Sequence, residues 1–520
     1  MPARAEQRVQ LGFIIDHSKC IGCHACTIAC KAENDVPVGS FRTWVKYTEQ
    51  GTFPEVRRSF AVLRCNQCSD APCVEICPVH ALEKRPDGIV DVDPERCIGC
   101  KSCMQGCPYD ALYLNDESGT AEKCHFCAHR TEQGLAPACA VVCPTEAIIP
   151  GDFHDPESGV SKMRAAESLA ARKTEAGTGP NVFYREATSA GLNPMETQAG
   201  GGLIWANQIP GVQLDTQVFE AAEQKAKART VYDVEHQPLW GRRVSAYLMT
   251  KSIAAGAPIG SLWLLLRGAD SASDSPLASI GLWIGLAFLT ITGLLLIMDL
   301  KRPERFWYIL RYPNWNSWLT RGTVILMIFG ALVCLWIALP LFGLQPAGAV
   351  GALLAVATSI AGIATACYTG WLFGQAKGRV LWMRRSLALE LALHALLAGA
   401  AVWILLALLL PAELVTEPFI KLIRVVAVST TALQLILGGL GSRMSPRRRE
   451  DEYRRVWALL TRGPFAKLHR LQSLLFFVGM IAVALPGAAI ISAAGAALIL
   501  IALTLEQDTL VRAGQASSIS

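Results

Sequence analysis

Long apolar runs occur only beyond residue 243 of this 520-residue chain. Eight runs, near 244–266, 276–299, 322–343, 347–374, 386–410, 418–440, 468–486 and 488–506, are for the most part long enough to cross the roughly 30 Å hydrocarbon layer as helices. Eight crossings leave both ends of the bundle on one side. The last two runs are separated by little more than Gly487 after Pro486, which predicts a tight hairpin there. The chain is also longer than one hydrophobic core usually organises. The pattern predicts a soluble domain over 1–150, an irregular connector over 151–243, and an all-α eight-helix transmembrane bundle over 244–510. Residues 151–240 show little apolar periodicity and hold Gly200, Gly201 and Gly202 among scattered Pro, Thr and Asn. Such a stretch predicts either a connector lying over the first domain and gripping a partner, or a plain tether.

Charge gives the bundle a direction. The loops 300–321, 375–385 and 441–470 hold five, four and nine Lys or Arg, whereas the opposite loops hold Arg267 alone. By the positive-inside rule the basic loops are cytoplasmic, and the first domain with them, in an inner membrane. Met1 to Ser18 has no apolar stretch of signal-peptide length and no twin arginine, in keeping with that side. The net charge of +5 therefore reports membrane orientation rather than nucleic-acid affinity, and no nucleic-acid motif is present.

Sixteen of the eighteen cysteines fall between Cys20 and Cys143. Disulfides are the reading for a secreted domain, but a cytoplasmic one keeps its thiols free for metal. Cys20, Cys23, Cys26, Cys30 and Cys97, Cys100, Cys103, Cys107-Pro108 have the bacterial ferredoxin spacing. Three cysteines two residues apart wrap one face of a cubane, with Gly22 or Gly99 admitting the backbone, and the fourth points to a different cluster. Two further groups complete the set: Cys65, Cys68, Cys73, Cys77-Pro78 and Cys124, Cys127, Cys139, Cys143-Pro144. Structural zinc would leave the regular fourth cysteines and the prolines unexplained. The fold class predicted is an α+β ferredoxin-like domain with four 4Fe-4S clusters, followed by the helical bundle. Lys123, His125, His129 and Arg130 are candidates to tune a cluster, with a solvated basic edge the favoured account of His129 and Arg130. Cys334 and Cys367, inside apolar runs, are expected to be buried core thiols.

The second group, CNQCSDAPCVEICP, and the fourth, KCHFCAHRTEQGLAPACAVVCP, resemble the four-cluster electron-transfer subunits of molybdopterin oxidoreductases such as dimethyl sulfoxide reductase, polysulfide reductase and formate dehydrogenase. The resemblance covers roughly residues 10 to 185, including Pro180-Asn-Val-Phe-Tyr184. It implies exchange of the last cysteines between groups: Cys20, Cys23, Cys26 with Cys143; Cys124, Cys127, Cys139 with Cys30; Cys65, Cys68, Cys73 with Cys107; and Cys97, Cys100, Cys103 with Cys77. The bundle is similar to the eight-helix quinone-reactive subunit of polysulfide reductase. Tyr247 to Ala257, Asp299 to Phe306 and Asn314 to Gly322 carry that similarity, with Lys251 departing from its largely uncharged pattern.

Quinone chemistry couples two electrons to two protons and needs polar contacts near a cluster. Lys251, about 10 Å inside the first helix, with Tyr368 and the one-turn pair Glu390 and His394, is the candidate menaquinone or ubiquinone site. The competing readings are a helix-stapling ion pair and, for Tyr368, an interfacial anchor. Asp299 reads equally as a helix-end partner of Lys301, Arg302 or Arg305, and Lys421 and Arg424 as snorkelling cations. A proton path from these two to His394 would instead make the bundle a charge-translocating device. The function predicted is an electron-transfer and membrane-anchor subunit between lipid-dissolved quinone and a cytoplasmic molybdopterin-containing catalytic subunit, with formate or sulfite oxidation as its reaction. The alternatives are a nickel-iron hydrogenase module and a non-catalytic module of a larger respiratory complex.

Overall fold

The computed structural model describes residues 9–51, 54–205, 228–234, 240–266, 276–344, 346, 348–411, 416–485 and 489–516. Two four-stranded sheets organise the first half. In one, β1 (Leu11–Asp16) lies between β8 (Ile148–Asp152), antiparallel, and β10 (Val182–Arg185), parallel, with β9 (Ala170–Ala171) at the edge. In the other, the order is β11 (Thr197–Trp205), β12 (Ala228–Asp233), β2 (Thr43–Gln50) and β3 (Arg57–Arg64). Strands β2 and β3 pair from Thr43 opposite Arg64 to Gln50 opposite Arg57. Strand β3 starts exposed at Arg57 and ends fully buried at Arg64, so it drives a cationic side chain into the interior. Two short hairpins, β4 (Leu82–Lys84) with β5 (Val90–Val92) and β6 (Leu112–Asn115) with β7 (Thr120–Lys123), follow the second and third cysteine groups.

The stretch expected to be an irregular connector departs from that expectation. It supplies β9 and β10 to the first sheet and β11 and β12 to the second. Without β10 and β12, one edge of β1 and one of β2 would carry unpaired backbone groups. The glycine run lies inside β11, where the pairing register shifts between Ala199 and Ile204, a place that tolerates residues without side chains. Residues 206–227 and 235–239 of the connector lie outside the described residues.

Eight long helices follow: α1 (Arg242–Leu266), α2 (Pro276–Asp299), α3 (Trp318–Leu341), α4 (Gly348–Gln375), α5 (Leu387–Leu409), α6 (Glu417–Leu440), α7 (Ala466–Ala484) and α8 (Ala489–Gln515). Among the described residues, seven of them, α2 to α8, are long and apolar enough to cross a membrane. Helix α1 packs against α2, α4, α5 and α8. Large apolar side chains such as Leu353, Ile360, Ile436 and Leu474 point outward, as expected where the solvent is hydrocarbon. The chain is a multi-pass membrane protein. Arg267 and the hairpin expected at Pro486 and Gly487 lie outside the described residues.

Helix α8 runs on to Gln515, past the expected end at 506. A carboxylate commonly closes an apolar run, but Glu506 and Gln507 are taken inside the bundle, where other helices supply polar partners. Within the basic 441–470 loop, the helix Glu450–Thr461 buries Tyr453, Val456 and Leu460 on one face.

The two halves share a core. Cys77, Cys97 and Cys103 pack in one buried cluster with Tyr247, Leu248, Phe373 and Trp382. Full burial of a side chain such as Phe373 contributes about 1.5–3 kcal/mol. Polar contacts fix the register of that contact: Asn314 Nδ2 donates to Cys77 O at 2.8 Å, Ser317 Oγ to Ile76 O at 2.8 Å, and Arg305 Nη1 to Cys97 O at 3.0 Å.

Candidate functional site

The cysteines gather into four sets that follow space rather than chain order. Cys20 neighbours Cys23 and Cys143, and Cys26 neighbours Cys20. Cys30 has left its own group to face Cys124, Cys127 and Cys139. Cys107 neighbours Cys65, Cys68 and Cys73. Cys77 neighbours Cys97, Cys100 and Cys103. One cavity is lined by Cys65, Cys68, Cys73 and Cys107, and another by Cys30, Cys124, Cys127 and Cys139. Four thiols converging on one shared cavity is the arrangement a cubane cluster requires, so these residues fit the group. Among the described residues, no three His, Cys, Asp or Glu converge on a point as ligands of a single metal ion must.

The prolines acquire a physical role here. After each Cys-Pro the chain turns so that backbone N–H groups aim back at the sulfur: Val79, Leu82 and Ala81 at Cys77, Ala111 and Tyr109 at Cys107, and Ala147, Thr145 and Ile148 at Cys143. Burial raises the Cys107 thiol to about 11 despite these donors. At Cys143, burial also raises the thiol, but the donors outweigh it and hold the group below its usual range. Burial, with neighbouring thiols adding to it, raises Cys26 to about 11 and Cys100 to about 12. Iron binding must therefore displace these protons, as thiolate ligation does in general. Cys30 has no following proline, and Asn34 Nδ2 approaches it instead at 3.7 Å.

Gly99 is needed twice over. Its φ of +67° suits glycine, and a Cβ there would lie 2.6 Å from Gly119 O and 2.7 Å from Lys301 Cβ. On its Cβ side, the close approach that it permits is to Gly119 and to the membrane domain's loop at Lys301.

The sets are ordered. Cys26 neighbours Cys139, Cys65 neighbours Cys124, and Cys103 neighbours Cys73, so the sets on Cys20, on Cys30, on Cys65 and on Cys77 follow one another in a row. At one end Cys23 is exposed beside Ile21, which is 58% exposed. At the other end Trp240 Nε1 donates to Cys100 O at 3.4 Å and Lys101 Nζ lies 3.1 Å from Asp299 Oδ2. Lys123 is buried, donating to Cys124 O at 2.7 Å and to Val90 O. His129 and Arg130 pair with Glu33 at 2.8 and 3.1 Å on the surface, in keeping with a solvated edge. His125 lines the Cys30 cavity.

Inside the bundle, the four residues expected to converge form two groups. In the first, the Lys251 ammonium lies 4.6 Å from the centre of the Tyr368 ring and 5.7 Å from that of Tyr247, and donates to Ala366 O at 3.2 Å and to Thr369 Oγ1. Tyr368 is buried, which rules against an interfacial anchor. In the second, Glu390 pairs with Arg384 and accepts from Ser386 Oγ at 2.5 Å, and His394 faces Glu506 at 3.2 Å, with Gln434 donating to Glu506 at 2.9 Å. Asp299 is taken by Lys101, not by the basic residues that follow it. Lys421 pairs with Glu417 at 3.9 Å at the exposed start of α6. Cys334 is exposed on the outside of the bundle and Cys367 half-buried, so neither is a fully buried core thiol.

Residues 231–516, more than half the chain, match the family described as polysulphide reductase, NrfD. The chain belongs to the NrfD family. Residues 56–153 match the 4Fe-4S dicluster domain, so an iron–sulfur domain is fused to the NrfD membrane domain. Among curated relatives, a subunit of the tetrathionate reductase of Salmonella typhimurium is 43% identical over 196 residues, 37% of this chain and 78% of the relative. A polypeptide of the polysulfide reductase of Wolinella succinogenes is 40% identical over 175 residues, 33% of this chain and 92% of the relative. The arsenate respiratory reductase iron-sulfur subunit ArrB of a Shewanella species is 36% identical over 224 residues, 34% of this chain and 96% of the relative.

In this NrfD-family chain, several polar residues escaped the reading of the sequence. Tyr247 and Thr369 join Lys251, and Glu506 and Gln434 join His394. Tyr247 could have been found, being one helical turn before Lys251 on the same face. Arg64 was not legible, because a cation ending a strand ordinarily marks the surface.

Proposed function

We propose that the chain carries four 4Fe-4S clusters as an electron wire between a catalytic subunit at the Cys20 end and a quinone in the membrane at the Cys77 end. The ligand sets are Cys20, Cys23, Cys26 and Cys143; Cys30, Cys124, Cys127 and Cys139; Cys65, Cys68, Cys73 and Cys107; and Cys77, Cys97, Cys100 and Cys103. The observation that carries the reading is the shared core in which Cys97 and Cys103 pack with Tyr247 and Leu248, one turn before Lys251 on α1. A menaquinone or ubiquinone beside Lys251 and Tyr368 meets the last cluster there, with Lys251 hydrogen-bonding a quinone oxygen and exchanging a proton that quinol releases as it is oxidised. Glu390 and His394 belong to a separate buried group and serve this site only through the bundle.

The partner is a molybdopterin-containing catalytic subunit. The names of the relatives, reductases of tetrathionate, polysulfide and arsenate, support a sulfur- or arsenic-compound reductase fed by quinol, and give no support to formate or sulfite oxidation. The exposed Cys23 and the apolar Ile21 and Ile28, 58% and 63% exposed, suit a partner surface at that end. The basic loops support a cytoplasmic iron–sulfur domain: Arg302 Nε donates to Ser118 O at 2.6 Å, so these loops and that domain share one side.

The test is metal analysis of the complex purified through this chain, with quinol oxidation by native and Lys251→Met protein. About sixteen iron atoms per chain and molybdenum or tungsten in the partner are expected. Nickel in the partner, or unchanged quinone turnover in the variant, would sink the respective half of the reading.

A further inference from the structure

Between the first two cysteine sets lies a buried cation that electron transfer through the wire has not yet used. Arg64 ends β3 and is 0% exposed. Its Nη1 donates to Cys139 Sγ at 3.1 Å, and its guanidinium carbon lies 4.5 Å over the ring of Phe13. Nε and Nη2 find no hydrogen-bond partner among the described residues. The groups that interact with it most strongly are the sulfurs of Cys139, Cys124 and Cys26, which belong to the first two sets. A guanidinium keeps its charge at any working pH, so burial cannot neutralise it and a countercharge must be near.

We propose that Arg64 is a potential-setting residue, whose fixed positive charge raises the midpoint of the cluster held by Cys30, Cys124, Cys127 and Cys139. The inference rests on the cluster assignment proposed above. Four thiolates around a 4Fe-4S core in its oxidised 2+ state carry a net charge of −2, and acceptance of one electron from a neighbouring cluster makes it −3. The added charge resides on the cluster and its sulfurs, within reach of Nη1. No proton need accompany the electron, since the guanidinium is already charged and stays so. In a dry interior the attraction is stronger in the reduced state than in the oxidised one, and that difference is a raised potential. The amide of Asn34, 3.7 Å from Cys30 Sγ and 3.9 Å from Cys127 Sγ, is a neutral donor to the same set and cannot replace the charge. Because Cys26 is also a neighbour, a smaller shift of the same sign is expected on the first set.

The experiment is a potentiometric titration followed by electron paramagnetic resonance on the full-length, membrane-bound protein with its clusters, comparing native, Arg64→Met and Arg64→Lys. Support is a downward shift of one midpoint in R64M, a smaller downward shift in a second, two unmoved, and near-native values in R64K. Four intact signals with unmoved midpoints in R64M overturn the inference while leaving the cluster assignment standing. Absence of 4Fe-4S signals from the native protein overturns the assignment itself. If R64M loses a cluster, R64K decides: a native midpoint supports the charge, whereas a lowered one, or loss of the same cluster, overturns it and makes Arg64 an assembly residue.

Discussion

Lys101 and Asp299 join the iron–sulfur domain to the bundle, Nζ to Oδ2 at 3.1 Å, with Lys101 between Cys100 and Cys103 and Asp299 the last residue of α2. Their side chains are 9% and 17% exposed, so removing the Asp299 charge leaves the largely desolvated Lys101 ammonium less well compensated. We expect Asp299→Asn to weaken docking by about 2 kcal/mol, the low end for such a pair because some water reaches it. Hydrogen exchange over residues 97–107 should quicken in that variant, and the exchanged pair K101D/D299K should recover part of the loss. Asp299→Asn is the cleaner single change, because Lys101 is flanked by proposed cluster ligands.

The division of the intramembrane residues into two groups makes opposite forecasts for their variants. Loss of a hydrogen bond to a charged group costs about 1.5–3 kcal/mol, roughly ten- to hundredfold in affinity. Lys251→Met should therefore raise the quinone KM by that factor, with all clusters still reducible. Glu390→Gln should change it little, since Arg384 and Ser386 already hold that carboxylate. Equal losses in the two variants would show that one site joins the groups after all.

What could be read from the sequence was what depends on short range. Cysteine spacing, apolar run length and loop charge are local, and Cys30, Cys77, Cys107 and Cys143 each stand beside cysteines of another group, the neighbourhood on which the proposed ligand sets rest. Long-range pairing was hidden. Val182–Arg185 holds residues that favour a strand, but nothing in these four residues says that β1 and β9 are its partners. Glu506 read as the end of a helix because its partner His394 lies more than a hundred residues away. Lys251 and Tyr368 were legible as ionisable groups in hydrocarbon, but that Glu390 turns toward Arg384 is decided by the loop before α5.

A pH dependence should appear where the two domains meet a second time. Lys173, 3.9 Å from Glu452 on the helix Glu450–Thr461, is pushed down to about 7 by burial, which outweighs the attraction of Glu452; Arg172 and Arg449 add to the lowering and Glu175 opposes it. A free lysine titrates near 10.5. Between these values the undocked state binds more protons than the docked one, so the contact strengthens as pH rises from about 7 toward 10.5 and loses that gain as pH falls back through about 7. Protease protection of 450–461 should follow this course in the native protein. In Lys173→Met it should be flat across the same range, and an unchanged slope there would assign the effect to another group.

The crossing of α1 and α5 depends on two glycines in backbone contact. A Cβ on Gly256 would lie 1.9 Å from Ala395 O, and one on Gly399 would lie 2.4 Å from Gly256 C. Backbone cannot yield as a side-chain tip can, so a single methyl must part the helices, as close packing through small residues in membranes implies. Overpacking of this kind costs about 1–3 kcal/mol. Lys251 lies five residues before Gly256, and His394 five before Gly399, so parting the helices displaces both polar groups. We expect Gly256→Ala to lower the melting temperature in detergent and to weaken quinone binding together. Gly293→Ala on α2, where a Cβ would meet nothing within 4 Å, should do neither. If Gly256→Ala destabilises the bundle while quinone affinity stays native, then Lys251 is positioned by α4 through Thr369 and Ala366 rather than by the crossing of α1 with α5.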